Sequence, residues 1–121
     1  MLPPVPILRS YREEEARDFY LRFLGFEIGF EHRFGPDLPL YMEVRRGAAV
    51  LHLSEHHGDA SPGAAVRIET DGLADYHREI TARGHRGARP GIVEQSWGFR
   101  EMALTDPAGN RLIFCERLPE T

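Results

Sequence analysis

The sequence runs through one pattern twice, with a period of about 60 residues. In each pass a short apolar run leads into an amphipathic segment, a glycine stop and further strand-like runs. Gly25 corresponds to Gly84, Gly47 to Gly109, and Leu51-His52-Leu53 to Leu112-Ile113-Phe114. One such unit, a sheet with a single helix, cannot bury both of its faces. Two units side by side can. The predicted fold class is therefore α+β: two βαβββ modules forming a curved mixed sheet with a cleft, helices outside. At 121 residues the chain holds one proper core. The expected layout is a single domain, with module 1 at about 4–54, a linker at about 55–63 and module 2 at about 64–117.

Local signals set the elements. Val5–Arg9 reads as a strand. Ser10 with Glu13 three residues on is a capping-box pattern, and Glu13, Glu14 and Glu15 suit the positive end of a helix dipole. Ala16, Phe19, Tyr20, Phe23 and Leu24 recur at helical spacing, which predicts a helix over Tyr11–Leu24 stopped by Gly25. Phe26–Phe34 reads as a strand with Phe26, Ile28 and Phe30 on one face. Leu40–Arg45 and Ala48–Leu53 read as strands around a turn at Arg46-Gly47. The polar stretch Ser54–Gly63 (SEHHGDASPG) reads as the linker. In the second pass Ala65–Glu69 is a strand. Asp71 is the expected N-cap of a helix with Leu73, Tyr76, His77 and Ile80 along one face, His77 half-buried or exposed, stopped by Gly84. Phe99–Leu104 and Asn110–Glu116 are strands across Asp106-Pro107-Ala108-Gly109.

Several function classes are disfavoured by composition. Net charge is −4, with 15 basic and 19 acidic residues, so nucleic acid is not expected as a partner. All the basic residues are Arg, which removes lysine Schiff-base chemistry and the P-loop mechanism. Cys115 is the only cysteine, so there is no intrachain disulfide and a reducing, cytoplasmic compartment is expected. Apolar runs are too short for a membrane span, and the start Met1-Leu-Pro-Pro-Val-Pro lacks the features of a signal peptide. No Ser lies in a G-x-S-x-G context, and Cys115 is expected to be packed and inert. His56 and His57 read as linker residues, with Asp59 a solvated turn acid; His32, His77 and His85 have no ligand spacing.

Two stretches carry a family resemblance over nearly the whole chain. Glu15–Phe26 (EARDFYLRFLGF) has the form of the first helix ending, and Gly91–Glu116 (GIVEQSWGFREMALTDPAGNRLIFCE) is the more specific match. Together with the repeat, they resemble the vicinal oxygen chelate superfamily of glyoxalase I, extradiol dioxygenases, fosfomycin-resistance enzymes and bleomycin-binding proteins. The QSWG element, Gln95–Gly98, is most similar to the bleomycin-resistance branch, whereas DPAG only fixes a turn.

The resemblance implies where a metal would sit in catalytic members: four points on the first and last strands of each half. Matched by the helix-end glycines and the DPAG turn, those points carry Val5, His52, Ala65 and Ile113. Only His52 offers a donor, and a catalytic ion wants about three protein ligands. No metal, no cofactor and no catalytic residue is therefore expected. His52 stands open between a hydrogen-bonded cleft residue and a ligand-contacting one. In the drug-binding relatives, residues matching Trp97 and Phe30 line a groove where a flat heteroaromatic group stacks. The expected ligand-binding residues are Trp97, Phe30, His52, Arg67, Glu101 and Gly98. Arg67 and Glu69 depart from the Trp residues of the fifth strand there, and Arg67 would repel a cation such as bleomycin. Arg67, Glu43, Glu101 and Arg100 are alternatively a polar cluster for a small acid, or plain surface ion pairs.

The expected function is metal-independent sequestration of a drug-like or small-metabolite ligand, possibly bleomycin-like, with antibiotic resistance as the associated role. The alternative is a metal-dependent lyase, isomerase or dioxygenase around His52 and Glu101; a small interaction module is a third. A homodimer is expected from the resemblance and because a half-open sheet exposes its edges. Pro3, Pro4 and Pro6 stiffen an N-terminal arm able to reach a second subunit.

Overall fold

The computed structural model describes residues 1–119. Its elements are β1 (Ile7–Arg9), α1 (Glu13–Arg17), β2 (Glu27–His32), β3 (Tyr41–Arg46), β4 (Ala49–Ser54), β5 (Ala65–Glu69), α2 (Leu73–Arg83), β6 (Ile92–Glu94), β7 (Phe99–Thr105) and β8 (Arg111–Arg117). They form two four-stranded mixed sheets of identical plan, β1-β4-β3-β2 and β5-β8-β7-β6. In each, the first strand pairs in parallel with the last and the others are antiparallel. The fold class and the paired βαβββ plan agree with the sequence reading. Among the described residues the strands form two sheets with no strand pairing between them.

Alternation along the strands decides which face is buried. Met42, Val44, Leu51 and Leu53 in the first sheet, and Met102, Leu104, Leu112 and Phe114 in the second, are at most 4% exposed. They pair across strands, Met42 with Leu53 and Val44 with Leu51, then Met102 with Phe114 and Leu104 with Leu112. The two helices cover these faces, and both halves share one core. Tyr20, buried, donates its hydroxyl to Asp106 Oδ2 at 2.6 Å, and Tyr76 donates to the Leu24 carbonyl at 2.7 Å. Arg46 grips Glu79 at 2.7 and 2.9 Å. These bonds tie each half to the other.

Several expectations are corrected. The first helix begins at Glu13, behind Arg12, with no side-chain cap, so the Ser10 box does not form. Its second part, Asp18–Phe23, is wound as a π-helix. That wider winding places Phe19, Tyr20 and Phe23 all in the core. The second helix is preceded by Gly72 at φ +69° rather than capped by Asp71; His77 is half-buried, within the expected range. Strand β6, which had no distinct signal, completes the second sheet. Phe26, Ile28 and Phe30 do not share a face. A bulge between Ile28 and Phe30 puts Ile28 opposite core residue Val44 and Phe30 opposite Glu43. Gly29 sits at the bulge because a Cβ there would strike the Glu43 side chain.

Candidate functional site

The helix-free face of each sheet is where polar and aromatic side chains gather. On the first sheet, Ile7, His52, Glu43 and Phe30 form one cross-strand row. Glu43 can only accept, so His52 Nε2–H donates to Glu43 Oε1 at 3.0 Å. That leaves Nδ1 to accept the Tyr41 hydroxyl at 2.6 Å. Phe30 is 42% exposed and lies stacked with Tyr41, centroids 6.2 Å apart, with His52 edge-on at 5.4 Å. Burial, then the negative charges of Asp59 and Glu43, push the Tyr41 phenol above its ordinary pKa. It stays a neutral donor.

On the second sheet, Trp97 leads into β7 and is 59% exposed. Its Nε1–H donates to Glu101 Oε2 at 3.1 Å, and Arg67 bonds the same oxygen at 2.8 Å. Burial raises the Glu101 carboxyl, but the bonds from Arg67 and Trp97 outweigh it and hold the group below the usual carboxylate range. Gly98 takes φ +88°, which a residue with a Cβ resists, so it shapes the turn that presents the indole. Arg67 also lies over the Phe99 ring at 5.3 Å. Cys115 is fully buried, and burial pushes its thiol up, in keeping with an inert side chain.

The six sequence-predicted residues thus fall into two groups. Trp97, Gly98, Arg67 and Glu101 meet on the second sheet; Phe30 and His52 meet on the first. Among the described residues, no hydrogen bond, ion pair or ring contact joins the groups. The four-residue polar cluster does not form. Arg67 and Glu101 pair, Glu43 belongs to the other sheet, and Arg100 lies near Glu116 at 3.5 Å. Sequence reasoning missed the role of Tyr41. Its signal was spacing: Tyr41 and Glu43, two apart on β3, share the face of His52.

The metal points also shift. Strand register sets Ile7, not Val5, beside His52, and Arg67, not Ala65, beside Ile113. Ile7, His52, Arg67 and Ile113 supply one imidazole, whose two nitrogens are already engaged, and one fixed positive charge. That donor set does not fit a divalent ion. Among the described residues no three His, Cys, Asp or Glu side chains converge as ligands, and no helix is long and apolar enough to cross a membrane.

Residues 3–120 match the family model described as a glyoxalase superfamily protein. No curated protein matches the chain. Among solved structures, a bleomycin-binding protein complexed with bleomycin is 27% identical, with TM-score 0.72 over 97% of this chain and 99% of that one. A bleomycin resistance determinant encoded on the transposon Tn5 is 25% identical, with TM-score 0.69 over 97% and 98%. A glyoxalase-related enzyme from Clostridium phytofermentans shares the fold at 17% identity, TM-score 0.74, over 98% and 96%.

Proposed function

The chain belongs to the glyoxalase superfamily, and from that premise we propose that it is a metal-independent binding protein that sequesters a flat drug-like or metabolite ligand. The observation that carries this reading is the pair of exposed aromatic platforms, Trp97 on one helix-free face and Phe30 on the other. Each is backed by polar groups that fix it, Glu101 behind Trp97 and Tyr41 with His52 behind Phe30. A flat ring system placed between two such platforms gains stacking of about 0.5–1.5 kcal/mol per aromatic pair. The likeness to a bleomycin-binding protein at 27% identity supports a ligand of that general shape.

In this reading the chain acts as one domain in a cytoplasmic homodimer. The first-sheet face of one copy meets the second-sheet face of the other, which brings Phe30 and Trp97 to the same ligand. The exposed arm Met1–Val5 reaches across. Sedimentation should give twice the 13.8 kDa chain mass; the single-chain mass would remove the shared cleft. The metal-enzyme alternative rested on His52 together with Glu101, which lie on different sheets. Stoichiometric metal in purified protein would revive it.

Titration calorimetry with a bleomycin-type glycopeptide tests the ligand class. Saturable heat, with quenching of Trp97 fluorescence, is the expected result. No heat at high micromolar concentration would remove that class. Trp97→Ala should weaken binding by about 1–3 kcal/mol while leaving the melting temperature nearly unchanged.

A further inference from the structure

At the end of the first-sheet face lies a pocket of about 370 Å³ that shares Phe30 and Tyr41 with the groove and extends beyond it. Its lining is Phe30, His32, Phe34, Tyr41, His56 and Asp59. Five of the six are rings. Phe34 stands edge-on to His32 at 4.5 Å and to His56 at 6.3 Å, and Phe30 stacks with Tyr41 in the same lining. Asp59 is the one carboxylate in the lining.

The segment that supplies His56 and Asp59 is held in place. The buried Ser54 hydroxyl donates to Asp59 Oδ2 at 2.6 Å and accepts the His56 backbone N–H at 3.1 Å. Arg9 donates to the carbonyls of Glu55 and His56 at 3.1 and 2.6 Å. Its guanidinium also lies over Tyr11, 4.9 Å from the ring centroid. Arg33, near in sequence, is bonded to Glu13 and the Leu38 carbonyl. Phe34 is 76% exposed, so its ring is open to a ligand from solvent.

From this geometry we propose that the pocket is an aromatic cage for an organic cation, a quaternary ammonium or protonated amine, with Asp59 as its counter-charge. Ring faces attract a cation through their quadrupole, and the exposed Asp59 carboxylate in the lining adds a charge that neutral ligands cannot use. The cage rests on the binding-groove reading, because Phe30 and Tyr41 belong to both. It adds that the groove's ligand carries a positive group at this end.

The test uses the full chain with two small probes of the same shape, choline and its uncharged isostere 3,3-dimethylbutan-1-ol. Binding is followed by amide chemical shifts in NMR. Choline should move the signals of Phe34, His56 and Asp59 saturably and bind about 5- to 30-fold tighter than the isostere. Asp59→Asn, which still accepts from Ser54, and Phe34→Ala, at an exposed site, should each keep the fold and remove most of that preference. Equal affinity for the two probes, shifts elsewhere only, or an unchanged preference in Asp59→Asn would overturn the cage. Trp97 separates the two readings, since neither probe reaches the second sheet. Choline binding at the cage with no glycopeptide quenching of Trp97 keeps the cage and removes the glycopeptide class from the groove. Glycopeptide quenching without choline binding does the reverse.

Discussion

The two halves of the molecule share one plan on their helix side and diverge on the other. Behind the helices, Met42, Val44, Leu51 and Leu53 have direct counterparts in Met102, Leu104, Leu112 and Phe114, all buried and paired in the same register. On the open side that register sets Glu43 and His52 against Ala103 and Ile113, and Tyr41 and Ser54 against Glu101 and Cys115. Packing needs volume and apolarity, so both halves converge on similar rows. The open faces carry no such constraint. Each holds its own chemistry, a hydrogen-bonded aromatic row on one and an ion pair under an indole on the other.

That contrast can be broken most forcefully from the core. Phe114→Ala should cost folding ~3–5 kcal/mol in urea denaturation, against less than about 1 kcal/mol for Phe30→Ala on the open face. Comparable losses would mean the open face is structural. The joint between the halves comes next. Asp106 is buried and accepts from the Tyr20 hydroxyl, the Asn110 side chain and two backbone amides. Asp106→Ala should cost roughly 3 kcal/mol, because it strands those donors, and Tyr20→Phe about 1–3 kcal/mol. Two separate unfolding transitions in Asp106→Ala would show halves that fold independently.

Gly98→Ala gives a smaller effect with a sharper reading. The positive φ should cost about 1–2 kcal/mol, and the turn should release the indole from Glu101. Unchanged Trp97 emission in that variant would mean the turn does not set the ring. The least effect is expected at Glu79. Hydrogen bonds from Arg46 hold its carboxyl below the ordinary value, burial opposes them, and Arg83 adds to the lowering. A depressed carboxyl stabilises the fold above its unfolded value and loses that contribution as pH falls through the folded one. Glu79→Gln should therefore lower the melting temperature by about 2–5 °C at neutral pH. The gap should close as pH drops below about 4.5, the unperturbed carboxyl value. A gap that persists at low pH would assign the loss to packing.

Much of this was legible in the sequence, for identifiable reasons. The repeat and the two apolar periodicities gave both modules and nearly every strand, since burial alone writes those patterns. Trp97 stood out in the QSWG element, but its bond to Glu101 four residues on was not foreseen, because it depends on the turn at Gly98. Phe30 was placed on the wrong face because a bulge at Gly29 shifts the alternation by one residue, and only the Glu43 side chain across the strand shows why. The π-wound turn after Arg17 leaves no mark in a helical pattern. Val5 and Ala65 were each two residues off because strand register depends on pairing, not on local sequence. Asp59 is exposed, as a turn acid should be, but its bond to buried Ser54 exists only once β4 is in place.

The central claim is that one ligand site draws on the first-sheet face of one copy and the second-sheet face of another. Mixing two single variants tests it most directly. Phe30→Ala and Trp97→Ala should each bind a bleomycin-type glycopeptide weakly in calorimetry. After equilibration together, mixed dimers should hold one cleft with an intact Phe30 from one copy and an intact Trp97 from the other. The account predicts that tight binding returns, at one site per mixed dimer. A mixture that binds no better than the separate variants would contradict it.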